Sequence, residues 1–278
     1  MSECKIDSIN ESYRENGSEE AGVKIAIKSD VLDAYDKQYV NDASKWRELG
    51  ARNKAQNISK LCENYKYDRV LECGAGEGSL LSAADDLGVF SKLYAIEIST
   101  SGIDQINKRK ISSLVEVKKF DGYKIPYPDD YFDLVYCSHV IEHVEHPRIL
   151  LREIKRVSRR QIFEVPLDYK IGIDEDMEVC MKTGHINIYT PTIFKFLIRS
   201  EGFNILAELK EEVTTEIVRF NWYQNHKFKK TLRRELALKL MPIKSFIKQI
   251  VLGNKKFQEY ENYTYSCLTE KGNELKIF

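Results

Sequence analysis

The chain lacks any apolar run approaching the roughly 18 residues that cross a bilayer, and its polar start, Met1 to Glu20, has no apolar signal core. The expected location is therefore the cytoplasm. Cysteine pairing is missing as well. Cys4, Cys62, Cys73, Cys137, Cys180 and Cys267 are scattered with no C-x-x-C spacing, which excludes an obvious disulfide framework or thiolate zinc site and predicts reduced, mostly buried thiols. A third absence lies in the glycine-rich turn Gly74-Ala75-Gly76-Glu77-Gly78. The dinucleotide fingerprint G-x-G-x-x-G asks for glycine where Ser79 stands, so the turn is not shaped for a pyrophosphate. Finally, the net formal charge is zero over 278 residues, yet acids are scarce in one segment. From Lys227 to Lys256 ten basic residues face the single acid Glu235, an asymmetry that calls for a partner or a solvated face.

What the chain does have is a repeated unit in which a short apolar strand ends on a polar group. Val70 to Cys73 runs into the glycine turn with Glu72 at its edge; Leu93 to Ile98 carries Glu97; Val115 to Phe120 ends at Asp121; Phe132 to Cys137 is followed by Ser138. Helical patterns separate these strands. Ile58, Leu61, Cys62 and Tyr65 have helical spacing, Ser99 or Thr100 caps the segment with Ile103 and Ile106, and Pro147 begins a helix whose apolar face is Leu150, Ile154 and Val157. Gln161 to Val165 is a fifth strand stopped by Pro166. Alternation of this kind predicts an α/β fold with a doubly wound, mainly parallel sheet. Ligands of such sheets sit beyond the carboxyl ends of the strands, which is where the polar groups fall.

Further along, Thr190-Pro191 caps a helix through Phe194, Leu197 and Ile198, and Phe203 to Leu209 reads as a strand. Val213 to Phe220 and Tyr263 to Leu268 also have β character. Between them Leu232, Leu236, Leu240, Ile243, Phe246, Ile247, Ile250 and Val251 recur at helical intervals that Pro242 is expected to break.

The pieces VLECGAGEGSLL (70–81), YAIEIS (94–99), DGYKIPYPDDYFDLVYCSHVIEHVEHP (121–147), FEVP (163–166), GHINIYTP (184–191) and EGF (201–203), in this order and spacing, resemble the class I S-adenosylmethionine (SAM) dependent methyltransferases, in particular the ubiquinone-pathway and sugar methyltransferases. The resemblance implies a Rossmann-like sheet with an antiparallel last strand, Tyr263 to Leu268 here. It also implies SAM as cofactor, with S-adenosylhomocysteine as its product. Glu72, Gly74, Ala75 and Gly76 would then lie along the methionine and ribose parts. Glu97 would accept from the ribose hydroxyls, Ile98 would pack on adenine, and Asp121 with Gly122 would meet the adenine amino group. Ser138 would complete the set. The implied division is a mobile polar tail (1–22), a helical lid (23–57), the SAM-binding core (58–221), a basic helical insertion (222–262) and a last strand with the C-terminus (263–278).

Transfer to a hydroxyl needs a group to take its proton, and His143 is the first candidate, His185 the second. His139, Glu142 and His143 share one face if their segment is helical, which would allow a divalent metal. The relatives have Glu in place of His139, so no metal is the favoured expectation. Read as H-x-x-E-H, the same residues match a reversed zinc-peptidase motif, but such a motif needs a long helix, and Pro147 follows closely. The basic segment also admits RNA or, through residues 227–256, a peripheral membrane contact. The expected reaction is O-methylation of a small molecule, with a cell-surface glycan precursor as leading acceptor and a small amine as the alternative.

Overall fold

A computed structural model of the chain describes residues 27–39, 44–169 and 173–272. The expected tail, residues 1–22, lies outside the described residues, as do residues 273–278 of the C-terminal segment.

The described elements are α1 (Ser29–Gln38), α2 (Ser44–Cys62), β1 (Arg69–Cys73), α3 (Ser79–Asp86), β2 (Lys92–Glu97), α4 (Thr100–Lys108), β3 (Leu114–Lys119), β4 (Phe132–Ser138), α5 (Pro147–Val157), β5 (Ser158–Pro166), α6 (Ile173–Lys182), α7 (Pro191–Ser200), β6 (Phe203–Glu211), α8 (Thr215–Phe220), α9 (Leu232–Leu252), α10 (Asn254–Tyr260) and β7 (Thr264–Lys271). The strands form one sheet in the order β3-β2-β1-β4-β5-β7-β6. All run parallel except β7, which pairs antiparallel with both β5 and β6. The Rossmann-like fold with an antiparallel last strand is therefore present.

Burial on both faces explains why β1, β4 and β5 read as nearly continuous apolar runs. One core, with Ala55, Ile58, Leu81, Ala84 and Ile106, seats α2, α3 and α4 on one face. The other, with Leu150, Ile154, Val157, Phe194 and Ile198, seats α5 and α7 on the opposite face. Strand order reverses between β1 and β4, and that switch point opens the crevice in which open α/β sheets bind ligands.

Four local readings change. Val213 to Phe220 is not a strand: the Thr214 hydroxyl accepts from the Ile217 amide at 3.3 Å and starts α8, so a helix cap outweighs β-branched composition. Pro242 does not end the helix, because α9 continues through it, giving up only the amide that would reach the Leu238 carbonyl. The stretch between β5 and α7, for which the sequence pattern predicts no element, contains α6. And α2 runs unbroken across residues 57 and 58, so lid and core share a helix.

Gly102 marks how tightly the binding turn is packed. A Cβ on this residue of α4 would lie 2.6 Å from the Gly76 carbonyl oxygen and 2.6 Å from the Ser99 hydroxyl. Helix propensity alone would make Gly102→Ala stabilising by about 1 kcal/mol. The clash reverses the sign, and we expect a net loss of about 1–3 kcal/mol in urea denaturation.

Candidate functional site

The carboxyl ends of β1, β2, β4 and β5 open into a cavity of about 1020 Å³. At its cofactor end Gly74, Gly76 and Gly78 all take left-handed backbone (φ +77°, +55° and +81°), which lets the turn curl back under β2, where the Gly74 and Ala75 amides donate to the Ile96 carbonyl. The turn is fastened by Glu97. One carboxylate oxygen accepts from the Gly76 amide at 2.7 Å, and the other accepts from the Ser99 amide and hydroxyl at 3.0 and 2.9 Å. Glu72, at the end of β1, is buried and accepts from the Tyr136 hydroxyl at 2.8 Å. Burial pushes its carboxyl up to about 8, against the downward pull of Tyr136 and Lys54.

Helix α1 closes over this end. Asp36 accepts from the Thr100 and Ser101 amides at 2.7 and 3.2 Å, capping α4 from outside its own segment. Arg47 meets Glu77 at 2.8 Å and stacks 5.0 Å over the Tyr39 ring, while the Tyr39 hydroxyl lies against Gly76. Ile27 packs on Gly122 so closely that a Cβ there would collide with its Cδ1.

The other end is lined by Lys54, Asn57, Ser138, His139, His143, Glu164, Glu211, Glu212, Thr214, Tyr263 and Thr264. Glu164 is buried and takes hydrogen bonds from Ser138 (3.0 Å), Ser266 (2.7 Å) and Asn57 (3.4 Å). Burial opposes its charge, but His139, Lys54 and Ser266 outweigh it and hold the carboxyl down at about 2. Burial pulls Lys54 below its ordinary range despite the nearby Glu164, Glu142 and Glu72.

The motif 139–143 does not form the long helix a peptidase site needs. Its last three residues, Ile141–His143, make one 3-10 turn, and His139 sits in left-handed backbone at φ 55°. His139 lies between two carboxylates, 3.5 Å from Glu142 and 3.4 Å from Glu164. The Glu142 side chain is fully buried, neither oxygen accepts a hydrogen bond from a described residue, and burial lifts its carboxyl to about 8. His143 Nδ1 faces the Gly184 carbonyl at 2.9 Å, so Nδ1 carries the hydrogen and Nε2 has a free lone pair. Burial and then His185 bring its pKa down to about 4. Burial also disfavours charge on His185, but Asp168, 2.6 Å from its Nδ1, wins and raises it.

Glu72, Gly74, Ala75, Gly76, Glu97, Ile98, Gly122, Ser138, His139 and His143 thus line one cavity, and three expected residues do not: Glu142, buried beneath it, Asp121 and His185. Asp121 sits at the rim, exposed, with its carboxylate accepting from the Tyr123 and Lys124 amides at 2.9 and 2.7 Å. His185 lies behind His143, its ring centre 4.8 Å away. Sequence reasoning missed Lys54, Asn57 and Glu164. The rule that singled out Glu97, a carboxylate at a strand's carboxyl end, points equally to Glu164 near the end of β5. Lys54 and Asn57 give no such signal, being polar residues on a helix.

Residues 71–161 match the family model described as a methyltransferase domain. The ubiquinone/menaquinone biosynthesis C-methyltransferase UbiE of Cupriavidus taiwanensis is 32% identical over 94 residues, covering 32% of this chain and 38% of that protein. An uncharacterized methyltransferase of Schizosaccharomyces pombe is 26% identical over 125 residues, 39% of this chain and 45% of its own length. The chain thus spans less than half the length of these curated relatives. In fold it is similar to a SAM-dependent methyltransferase from Archaeoglobus fulgidus, with a TM-score of 0.54 at 18% identity over 82% of this chain and 96% of that one.

An ammonium group drawn against Glu72 favours its ionised form, so a ligand bearing one must displace the proton that burial holds there. We expect S-adenosylhomocysteine binding at pH 7 to release protons and to tighten as pH rises from 6 towards 8, because the free carboxyl titrates near 8. In calorimetry the apparent enthalpy will then depend on the buffer's ionisation heat. Glu72→Gln should remove most of that dependence.

Proposed function

We propose that this chain, whose central part is a class I S-adenosylmethionine-dependent methyltransferase domain, moves a methyl group from SAM to an oxygen of a small acceptor, a sugar or another precursor of a cell-surface glycan. The observation that carries the reading is one continuous cavity with Glu72, Glu97 and the glycine turn at one end and His143 with a set of hydroxyl-matching side chains at the other. The residues fit the cofactor: Glu72 awaits a cation, and Glu97, with two lone pairs on each oxygen, can accept from ribose hydroxyls as well as from Gly76 and Ser99. Bound SAM supplies an electrophilic sulfonium methyl that passes to the acceptor in an in-line displacement, leaving S-adenosylhomocysteine.

The protein's own task is alignment and proton removal. His143 Nε2 takes the hydroxyl proton as the oxygen–methyl bond forms, and its Nδ1 hydrogen bond to Gly184 keeps the ring turned for that. Asn57, Glu164, Thr214, Tyr263 and Thr264 provide donors and acceptors of the kind that a polyhydroxy acceptor requires. His185, fixed by Asp168, positions the His143 ring rather than meeting the acceptor.

A second reading rests on one cluster. Ligand atoms of Glu142, His143 and His185 lie within 4.8 Å of one another. Each histidine has Nδ1 engaged, by Gly184 and Asp168, which leaves Nε2 for a metal in the arrangement that second-sphere partners impose on metal-bound imidazoles. The unpartnered Glu142 carboxylate completes the donor set, and His185 takes the place the motif had given to His139. Glu142, His143 and His185 would hold a divalent cation there, which would supply a Lewis acid to an acceptor oxygen, with His143 as a ligand instead of the base.

Calorimetry with S-adenosylhomocysteine followed by a methyl-release screen over nucleotide sugars, phosphorylated metabolites and amines tests the main reading. Turnover of amines alone would replace oxygen with nitrogen and give Glu164 the part of an ammonium binder. Glu97→Ala should cost about 1.5–3 kcal/mol of cofactor affinity, the scale of a hydrogen bond to a charged group; unchanged affinity would put the ribose elsewhere. His143→Ala should lower kcat about 10²- to 10⁴-fold with S-adenosylhomocysteine affinity retained. Under the metal reading, exhaustive chelation abolishes activity and a divalent ion restores it, and a calorimetric metal titration of the wild type is lost in Glu142→Gln. Full activity after chelation removes that reading.

A further inference from the structure

Helix α9 turns its apolar residues the wrong way for a core. Leu238 is its one buried residue among those described. Leu238, Met241, Ser245, Gln249 and Leu252 form the row nearest the body, and the Ser245 hydroxyl donates to Glu212. On the opposite side Leu236, Leu240, Ile243, Ile247 and Ile250 recur at steps of four and three residues and are 40% to 65% exposed. Leu232, Phe246 and Val251 extend this stripe and are also exposed. A basic segment with a merely solvated face would have placed its lysines outward and its leucines inward, so the side facing solvent is the side that needs a cover.

The charge around the stripe selects the cover. On the helical wheel Lys239 borders one side, and Arg233, Lys244 and Lys248 border the other. Among the described residues the ion pairs of this helix are Arg219 with Glu235 and Lys248 with Glu261; Arg233, Lys239 and Lys244 make none. A second copy seated on the stripe would bring the same cations against these with no acid between them, and like charges facing each other across an interface repel. RNA would answer the cations and leave the Leu and Ile stripe in water. An anionic lipid surface answers both, since apolar side chains enter the acyl boundary while flanking Lys and Arg meet the headgroups.

We propose that α9 lies in the plane of an anionic membrane surface and docks the protein there peripherally. No helix among the described residues is long and apolar enough to cross a membrane. The proposal is independent of which acceptor the cavity takes.

Sedimentation of the full chain with vesicles of phosphatidylcholine, with and without phosphatidylglycerol, tests it. We expect binding to the mixed vesicles, much less to phosphatidylcholine alone, and release by added salt. Lys239→Ala and Lys244→Ala should each weaken partitioning about fivefold. Ile243→Asp with Ile247→Asp should abolish it, while S-adenosylhomocysteine affinity stays at the wild-type value and shows the fold intact. Failure to pellet with mixed vesicles overturns the proposal, as does undiminished pelleting of the double Asp variant. So does a lipid-free dimer in analytical ultracentrifugation that the double Asp variant converts to monomer.

Discussion

The interaction on which the cofactor end depends is the grip of Glu97 on the glycine turn. Its carboxylate stands at the end of β2, and it reaches sideways to the Gly76 amide of the β1 turn and forward to the Ser99 cap of α4. The end of β2, the β1 turn and the start of α4 are thereby held in one geometry. Gly102 completes the fit, since its missing side chain lets α4 rest on the Gly76 carbonyl. The same carboxylate that would meet a ribose therefore also shapes the turn.

Around this anchor the cavity concentrates acid. Glu72, Glu97, Glu142 and Glu164 are all buried, and Lys54 is the cation set among them. Ionising every one without partners would be prohibitive, so the protein divides them. Glu164 has three hydrogen-bond donors and His139 beside it and stays charged. Glu72 and Glu142 have one donor and none, and burial leaves them protonated near neutrality. A cation delivered by a ligand would find two carboxyl groups that release their protons to solvent and pair with it as carboxylates.

Much of this was legible beforehand because strand ends carry their chemistry in order. The apolar runs of β1, β2 and β4 announced both the sheet and the positions of Glu72, Glu97 and Ser138. The antiparallel β7 followed from resemblance, since nothing in its residues shows direction. Where reading failed, a local competitor decided. Thr214 turned a β-branched run into a helix by capping it. Asp121 spent its carboxylate on its own turn, as short acidic side chains do. His139 took left-handed backbone and left the shared face that the motif spacing implied; it stays beside Glu142, but the side chain that gathers with both Glu142 and His143 is His185, more than forty positions away. Lys54 and Asn57 became part of the site only through the angle at which α2 crosses the sheet, which no periodicity reveals.

That helix has a consequence of its own. Near its start Arg47 holds Glu77 in the glycine turn; two turns later Lys54 enters the far chamber, and Asn57 bonds Glu164 and Glu211. One stiff rod is thus in contact with both halves of the cavity. Were a molecule at one end to shift this helix, the other end would feel it, and such coupling would be reciprocal, the first guest altering the welcome given to the second by the same factor in whichever order they arrive.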